Sequence, residues 1–144
     1  MADPTTTIDV ALRDQPLDLD ACYRFVQHSS CGGLCFFVGT IRDLNLGYPV
    51  THLEFDAYDG MAVREMEKLA VAARDRFGLH AVALHHRKGD LAIGDVAVIV
   101  AVSSVHRAPA FEGCEWIIDE LKKSVPIWKK EFRGDGSHWL NARP

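Results

Sequence analysis

The sequence predicts an α+β fold with a largely antiparallel sheet and flanking helices. Three observations lead there. Strand-like runs come in adjacent pairs separated by helix-like runs, rather than alternating one for one with helices. Clusters of Gly, Pro, Asn and Asp stand between the paired runs, where turns are needed. No glycine-rich phosphate loop follows a strand, so a doubly wound nucleotide-binding sheet lacks its signature.

The elements follow in order. Residues 1–7 have little to bury and are expected to fray. Asp18 can cap a short helix over residues 19–28, with Leu19, Cys22, Phe25 and Val26 on one face. Cys31-Gly32-Gly33 breaks that helix. Residues 34–42 form an apolar strand, expected to lie centrally in its sheet. Asn45, Gly47 and Pro49 mark a loop. Residues 50–58 then alternate, with Leu53, Phe55 and Ala57 facing one way and His52, Glu54, Asp56 and Tyr58 the other. That is a strand with one wet face.

Asp59-Gly60 leads into a long helix over residues 61–77, with Met66, Leu69, Ala70, Ala73 and Phe77 as its apolar stripe and Gly78 as its stop. Residues 81–87 form a strand, and Lys88-Gly89-Asp90 and Ile93-Gly94-Asp95 read as turns. Residues 96–103 are the most β-prone run and read as a buried strand. Pro109 suits the first turn of a third helix, whose core face is Phe111, Cys114, Ile117, Ile118 and Leu121, and Pro126 stops it. The remainder reads as a tail. No repeat or linker divides the chain, so one domain is expected over residues 1–144.

Composition narrows the function. A formal net charge of −4 argues against a general nucleic-acid binder, which needs a broad positive surface. No apolar run approaches the roughly 20 residues that cross a bilayer. Residues 1–20 are polar and acidic, unlike a signal peptide, so a cytoplasmic location is expected. The four cysteines, Cys22, Cys31, Cys35 and Cys114, then read as free thiols. Cys31 and Cys35 make a CxxxC spacing. Cys35 lies in an apolar run, however, and no second Cys/His pair has zinc-like spacing, so no metal site is expected. His28, His52, His80 and His138 stand apart in sequence. His85-His86 lies in a strand, where one ring is expected to face in and the other out.

Three segments carry more polar function than a fold needs. In Val38-Gly39-Thr40-Ile41-Arg42-Asp43 an apolar strand ends in a glycine and delivers an arginine. Gly39 permits close approach of a backbone or ligand, and Arg42 offers a fork of donors for a phosphate or carboxylate. Taken alone, an ion pair at a strand end is the simpler account. Ser103-Ser104-Val105-His106-Arg107-Ala108-Pro109 joins the buried strand to a helix start, where backbone N–H groups attract anions. Capping by Ser104, with His106 and Arg107 solvated, explains it equally well.

The third segment, residues 121–133, holds five of the chain's 16 Lys and Arg residues against one acid. A charge run is usually a solvated face. Here Pro126, Ile127, Trp128 and Phe132 are interleaved, so the segment must pack as well as dissolve. Crowded, desolvated lysines lose basicity and can serve as acids, bases or nucleophiles. Lys122, beside Leu121, and Lys129, beside Trp128, are better placed for a pocket than Lys123. Together the three segments describe an enzyme acting on a phosphorylated small molecule.

Val38-Gly39-Thr40-Ile41-Arg42, Ser104-Val105-His106-Arg107, and the stretch from Leu121-Lys122 through Pro126-Ile127-Trp128-Lys129-Lys130-Glu131 resemble the catalytic large subunit of molybdopterin synthase. The ending Trp139-Leu140-Asn141-Ala142-Arg143 fits as well. The resemblance runs from about Ile8 to Arg143, with the motifs in family order and spacing. It implies an α/β-hammerhead fold and a sulfurtransferase that builds the molybdopterin dithiolene from cyclic pyranopterin monophosphate. Sulfur would come from a small ubiquitin-like partner whose C-terminal Gly-Gly ends as a thiocarboxylate. The implied assembly is a homodimer of this chain within a heterotetramer, with no metal or dissociable cofactor on this subunit. The family's catalytic lysines fall on Lys122 and Lys129. Its substrate contacts fall on Thr40, Ile41, Arg42, His106, Arg107, Lys122, Lys129, Lys130 and Glu131, leaving Lys123 and Arg133 as surface charge. The competing function is a non-catalytic scaffold that grips the tail of a ubiquitin-like protein. It does not call for two separate lysines plus Arg42 and His106-Arg107.

Overall fold

The computed structural model describes residues 6–134 and 136–139. The order of elements is β1 (Ile8–Arg13), α1 (Leu19–Val26), β2 (Gly33–Thr40), β3 (Leu44–Asn45), β4 (Tyr48–Pro49), β5 (His52–Ala57), α2 (Asp59–Phe77), β6 (Ala81–Arg87), β7 (Gly89–Ala92), β8 (Val96–Ser104), α3 (Arg107–Ser124), β9 (Ile127–Arg133) and β10 (Gly136–Trp139). The α+β class holds, and every strand pair but the parallel β1–β6 is antiparallel. The strands divide between a β1-β6-β8-β2 sheet, a β10-β9-β5-β7 sheet and the β3–β4 hairpin.

Alternation on β6 and β8 sorts the first sheet's two faces. Val82, Leu84, Val100 and Val102 join the larger core, with Met66, Leu69 and Ala70 of α2 and Cys114, Ile117 and Leu121 of α3. Ala81, Ala83, Ile99 and Ala101 face the other way, onto Cys22 and Val26 of α1. Helices therefore cover both faces of this sheet. Leu53 and Phe55 of β5, Leu91 of β7 and Ile127 of β9 extend the larger core to the second sheet.

Local chemistry fixes the ends of the helices. Asp18 accepts a hydrogen bond from the Ala21 N–H at 3.1 Å and starts α1, as expected. Gly78 closes α2 in the left-handed region at φ 67°. Ser104 does not cap α3. Its hydroxyl donates to the His106 carbonyl, and the N-cap residue His106 makes no side-chain cap. Among the described residues, no N-cap side chain thus accepts from the first N–H groups of α3.

Several expectations need correction. The apolar strand β2 is not central: it is an edge of its sheet among the described residues. Its apolar character comes from its faces, where Phe36 stacks on Tyr23 of α1 at 5.7 Å and Cys35 packs on the larger core. Covered faces say nothing about whether both edges are paired. The loop through Asn45 and Pro49 is a tight hairpin, with Leu46 and Gly47 both at positive φ as a two-residue turn requires. Gly89-Asp90 opens strand β7 instead of only turning the chain. Phe111 is 62% exposed and not part of the core face of α3. Strand β1 was not foreseen, and the supposed tail is the hairpin β9–β10. Residues 1–5 and the ending from Leu140 lie outside the described residues, whereas Thr7 is anchored: its carbonyl accepts from the Val82 N–H at 2.8 Å.

Candidate active site

The seam between the two sheets opens into a cavity of about 410 Å³, within the range of small-molecule sites. Three elements bring its polar groups together. The end of β2 and the residues after it supply Thr40, Ile41 and Arg42; the last turn of α3 supplies Lys122; β9 supplies Lys129 and Glu131. A register shift between Gly39 and Thr40 breaks the β2–β8 ladder. Beyond it, Ile41 is held by hydrogen bonds to Asp95 (3.1 Å) and from Gly94 (2.9 Å). The glycine serves this geometry in a way the sequence did not suggest: a Cβ on Gly39 would lie 2.6 Å from the Val98 side chain, so its empty space is taken by the sheet's own packing and not by a ligand.

Electrostatics in the cavity are lopsided. Burial, Lys122 and Arg42, in that order, hold the Lys129 ammonium below its ordinary basicity, with Glu131 opposing them. This is the crowding effect expected from the sequence. Glu131 is 1% exposed, and its carboxylate is committed elsewhere. It accepts from Asn45 Nδ2 at 2.8 Å and from Arg133 Nε at 2.5 Å. Arg133, expected to be a surface charge, is instead half-buried, 4.2 Å over the Tyr48 ring and ion-paired to Glu131. With Glu131 neutralised by Arg133, the cavity is left with the excess charge of Arg42, Lys122 and Lys129. Lys123 points outward and pairs with Glu120, as a surface lysine should.

One ionisable lining residue was missed. His85 and His86 are both buried, at 3% exposure each, on opposite faces of β6. His85 lies between Asp9 (2.8 Å) and the Cys22 thiol (3.4 Å). His86 lines the cavity, packs edge-on against Phe55 and donates its Nδ1–H to the Arg87 carbonyl at 2.8 Å. Burial, with Lys129 nearby, lowers its pKa to about 4, so the ring is neutral and its Nε2 is an acceptor at physiological pH. The doublet alone could not reveal this, because the second sheet is what covers the outer ring.

Not every expected residue reaches the cavity. Lys130 faces the other side of β9, with its ammonium over the Phe132 and Trp139 rings at 5.6 and 5.2 Å. His106 and Arg107 are exposed at the far end of the sheet. Thr40 pairs with Val96 at one end of β8, and Gly33 pairs with Ser104 at the other. Eight residues of strand, about 26 Å, separate those ends.

A two-sheet α+β frame around a cationic cavity with a neutral imidazole defines an enzyme-type site suited to anionic groups. Residues 12–124 match the MoaE protein family. The chain is 40% identical to the molybdopterin synthase catalytic subunit of Pyrococcus abyssi over 135 residues, covering 94% of this chain and 91% of that protein. A crystal structure of molybdopterin synthase from Staphylococcus aureus superposes with a TM-score of 0.84 at 31% identity, covering 97% of this chain and 99% of that one. The fold is shared as well with a complex of subunits 1 and 2 of the molybdopterin-converting factor from Helicobacter pylori, at a TM-score of 0.69, 24% identity, and coverage of 93% and 90%. The chain belongs to the MoaE family, that of molybdopterin synthase catalytic subunits.

Proposed function

We propose that the cavity transfers sulfur from the thiocarboxylated C-terminus of a small ubiquitin-like subunit to cyclic pyranopterin monophosphate, forming the molybdopterin dithiolene. The observation that carries this reading is the uncompensated charge of Arg42, Lys122 and Lys129 around one cavity. Substrate phosphate and incoming sulfur are both anionic. Like charges at contact distance repel by several kcal/mol in a partly desolvated site at an effective dielectric near 20. Clustered cations remove that barrier, and they do so without a catalytic cysteine because the sulfur arrives on the partner.

Within this reading Arg42 holds the phosphate. Lys122 and Lys129 promote attack of the thiocarboxylate and handle the protons of departing ring oxygens. Lys129, with its depressed basicity, is the better suited to proton exchange near neutrality. Thr40 and Ile41 shape the wall, and Glu131 holds Asn45 and Arg133 in place around it. Lys130 contributes through its position on β9, between Lys129 and Glu131. His106 and Arg107, too distant in their own chain, serve the cavity of a second copy. That requires the homodimer, with a small subunit on each copy completing a heterotetramer.

The test mixes the chain with thiocarboxylated partner and cyclic precursor. Wild type is expected to yield dithiolene product. Lys122→Ala is expected to lose turnover by at least a hundredfold, the usual scale for an acid–base or electrostatic group, while keeping its fold and partner affinity. Partner binding without product from wild type would establish the scaffold function instead.

A further inference from the structure

A second cluster of chemistry lies at the opposite end of the first sheet from the cavity. His28 follows the end of α1, Cys31 lies in the turn before β2, and His80 directly precedes β6. These residues are 49 or more positions apart across the two segments, and the fold places one ligand atom from each within 4.8 Å of the others. The His28 and His80 rings lie face to face with centroids 4.1 Å apart and a tilt of 36°.

We propose that His28, Cys31 and His80 form a binding site for a zinc-like divalent transition-metal ion, outside the lining of the cavity in their own chain. Two imidazole nitrogens and one thiolate match the donors this class of ion prefers, and the fourth tetrahedral position is left to water. Metal–ligand bonds of about 2.0–2.3 Å set tetrahedral donor atoms roughly 3.3–3.6 Å apart. Donor atoms within 4.8 Å of one another have about an ångström to close to reach that spacing.

The backbone around the cluster is fixed independently of any ion. Cys31 N–H donates to the His28 carbonyl at 3.0 Å, and Gly32 N–H to the Val105 carbonyl at 3.2 Å. His80 N–H donates to the Ser103 carbonyl at 2.8 Å. Ligands carried on pre-set backbone lose less freedom on binding. Ser30 adds a supporting partner, its hydroxyl 2.7 Å from His28 Nδ1. The Ser30 N–H also donates to His28 Nδ1 at 3.1 Å, so Ser30 fixes the orientation of the ring. The Ser30 hydroxyl is also 3.8 Å from the Cys31 sulfur.

The buried thiols of the chain are poorer ligands: burial pushes the Cys22 thiol up to about 11 and the Cys114 thiol up to about 12, so neither yields a thiolate readily. Cys31 is partly exposed, in a turn. An ion here would join the end of α1 to the start of β6, beside the turn that carries His106.

The experiment titrates the full, reduced, chelator-treated chain with Co²⁺ as the spectroscopic probe. One equivalent is expected to give the visible bands of a tetrahedral site and a near-ultraviolet thiolate-to-metal band, and Zn²⁺ is expected to displace both. Cys31→Ser should abolish the thiolate band, and His80→Gln should weaken Co²⁺ binding at least tenfold. Circular dichroism of each variant confirms that its fold is intact. Binding of less than one equivalent by wild type overturns the proposal. So does a thiolate band that survives Cys31→Ser, because another cysteine would then be the ligand.

Discussion

Arg133 Nε lies 2.5 Å from Glu131 Oε1, and the two residues, two positions apart, share one face of β9. This pair sets the size of the positive charge in the cavity. Without Arg133, Glu131 would be a buried carboxylate facing Lys129, and the excess positive charge would shrink. Breaking a buried pair by removing one partner costs about 3–5 kcal/mol, because the remaining charge stays desolvated. Arg133→Ala should therefore lower urea-denaturation stability by an amount near that range. Asn45 continues to hold the other carboxylate oxygen, which favours the lower end. A loss below about 0.5 kcal/mol, the scale of an exposed pair, would show that Arg133 is an ordinary surface charge after all.

The depressed basicity of Lys129 has named causes, and two of them can be removed. Arg42 and Lys122 each push the ammonium toward its neutral form, while Glu131 pulls the other way. Arg42→Gln should raise the Lys129 pKa toward its ordinary value, and Lys122→Gln should do the same with a larger effect. Nitrogen-15 NMR of the Lys129 side chain measures this directly. A downward move, or none in either variant, would place the two cations too far away to matter.

His86 links the cavity to acid stability. Its pKa falls from 6.5 unfolded to about 4 folded, chiefly through burial. Between those values the unfolded chain binds a proton that the folded chain refuses. Stability is therefore fully present above about pH 6.5, declines as pH drops, and reaches its limit near pH 4. The total loss is at most about 3 kcal/mol, at 1.36 kcal/mol per unit. His80, also lowered, contributes in the same direction. The diagnostic is thus the difference between wild type and His86→Leu. Urea titrations at pH 7 and pH 4.5 should show a smaller acid loss in the variant. Equal losses in both proteins would mean that His86 is hydrated in the folded state.

These relationships explain why the fold was more legible than the site. Helices α2 and α3 could be read because their inward stripes are apolar, and β8 because its run of valines has no other use. β9 was lost for the opposite reason. Its inward positions after Ile127 are Lys129 and Glu131, so the alternation that marks a strand is inverted where the chemistry sits. β1 carried a legible signal, since Ile8, Val10 and Leu12 alternate toward the core, but six residues near a polar terminus are easily passed over. The charged partners were not legible at all. Nothing near Cys31 in sequence announces His80, and nothing in Lys-Glu-Phe-Arg says that Arg133 turns back onto Glu131. Contacts between distant segments need the fold first.

The distance between His106 and Lys122 supplies the last prediction. β8 separates the turn at His106 from the cavity, so one chain does not bring both residues to one site. If each cavity combines Lys122 of one copy with His106 and Arg107 of another, two inactive variants should complement. Lys122→Ala and His106→Ala chains, unfolded together and refolded as a mixture, form mixed dimers half of the time. In a mixed dimer one cavity inherits both defects and the other inherits neither. Such a mixture should recover about a quarter of wild-type turnover, as expected for a two-fold symmetric interface with random pairing. Sites built within single chains would recover none, because each would carry one defect. Dithiolene formation before and after mixing distinguishes the two arrangements, and size-exclusion chromatography of the mixture confirms that dimers have formed.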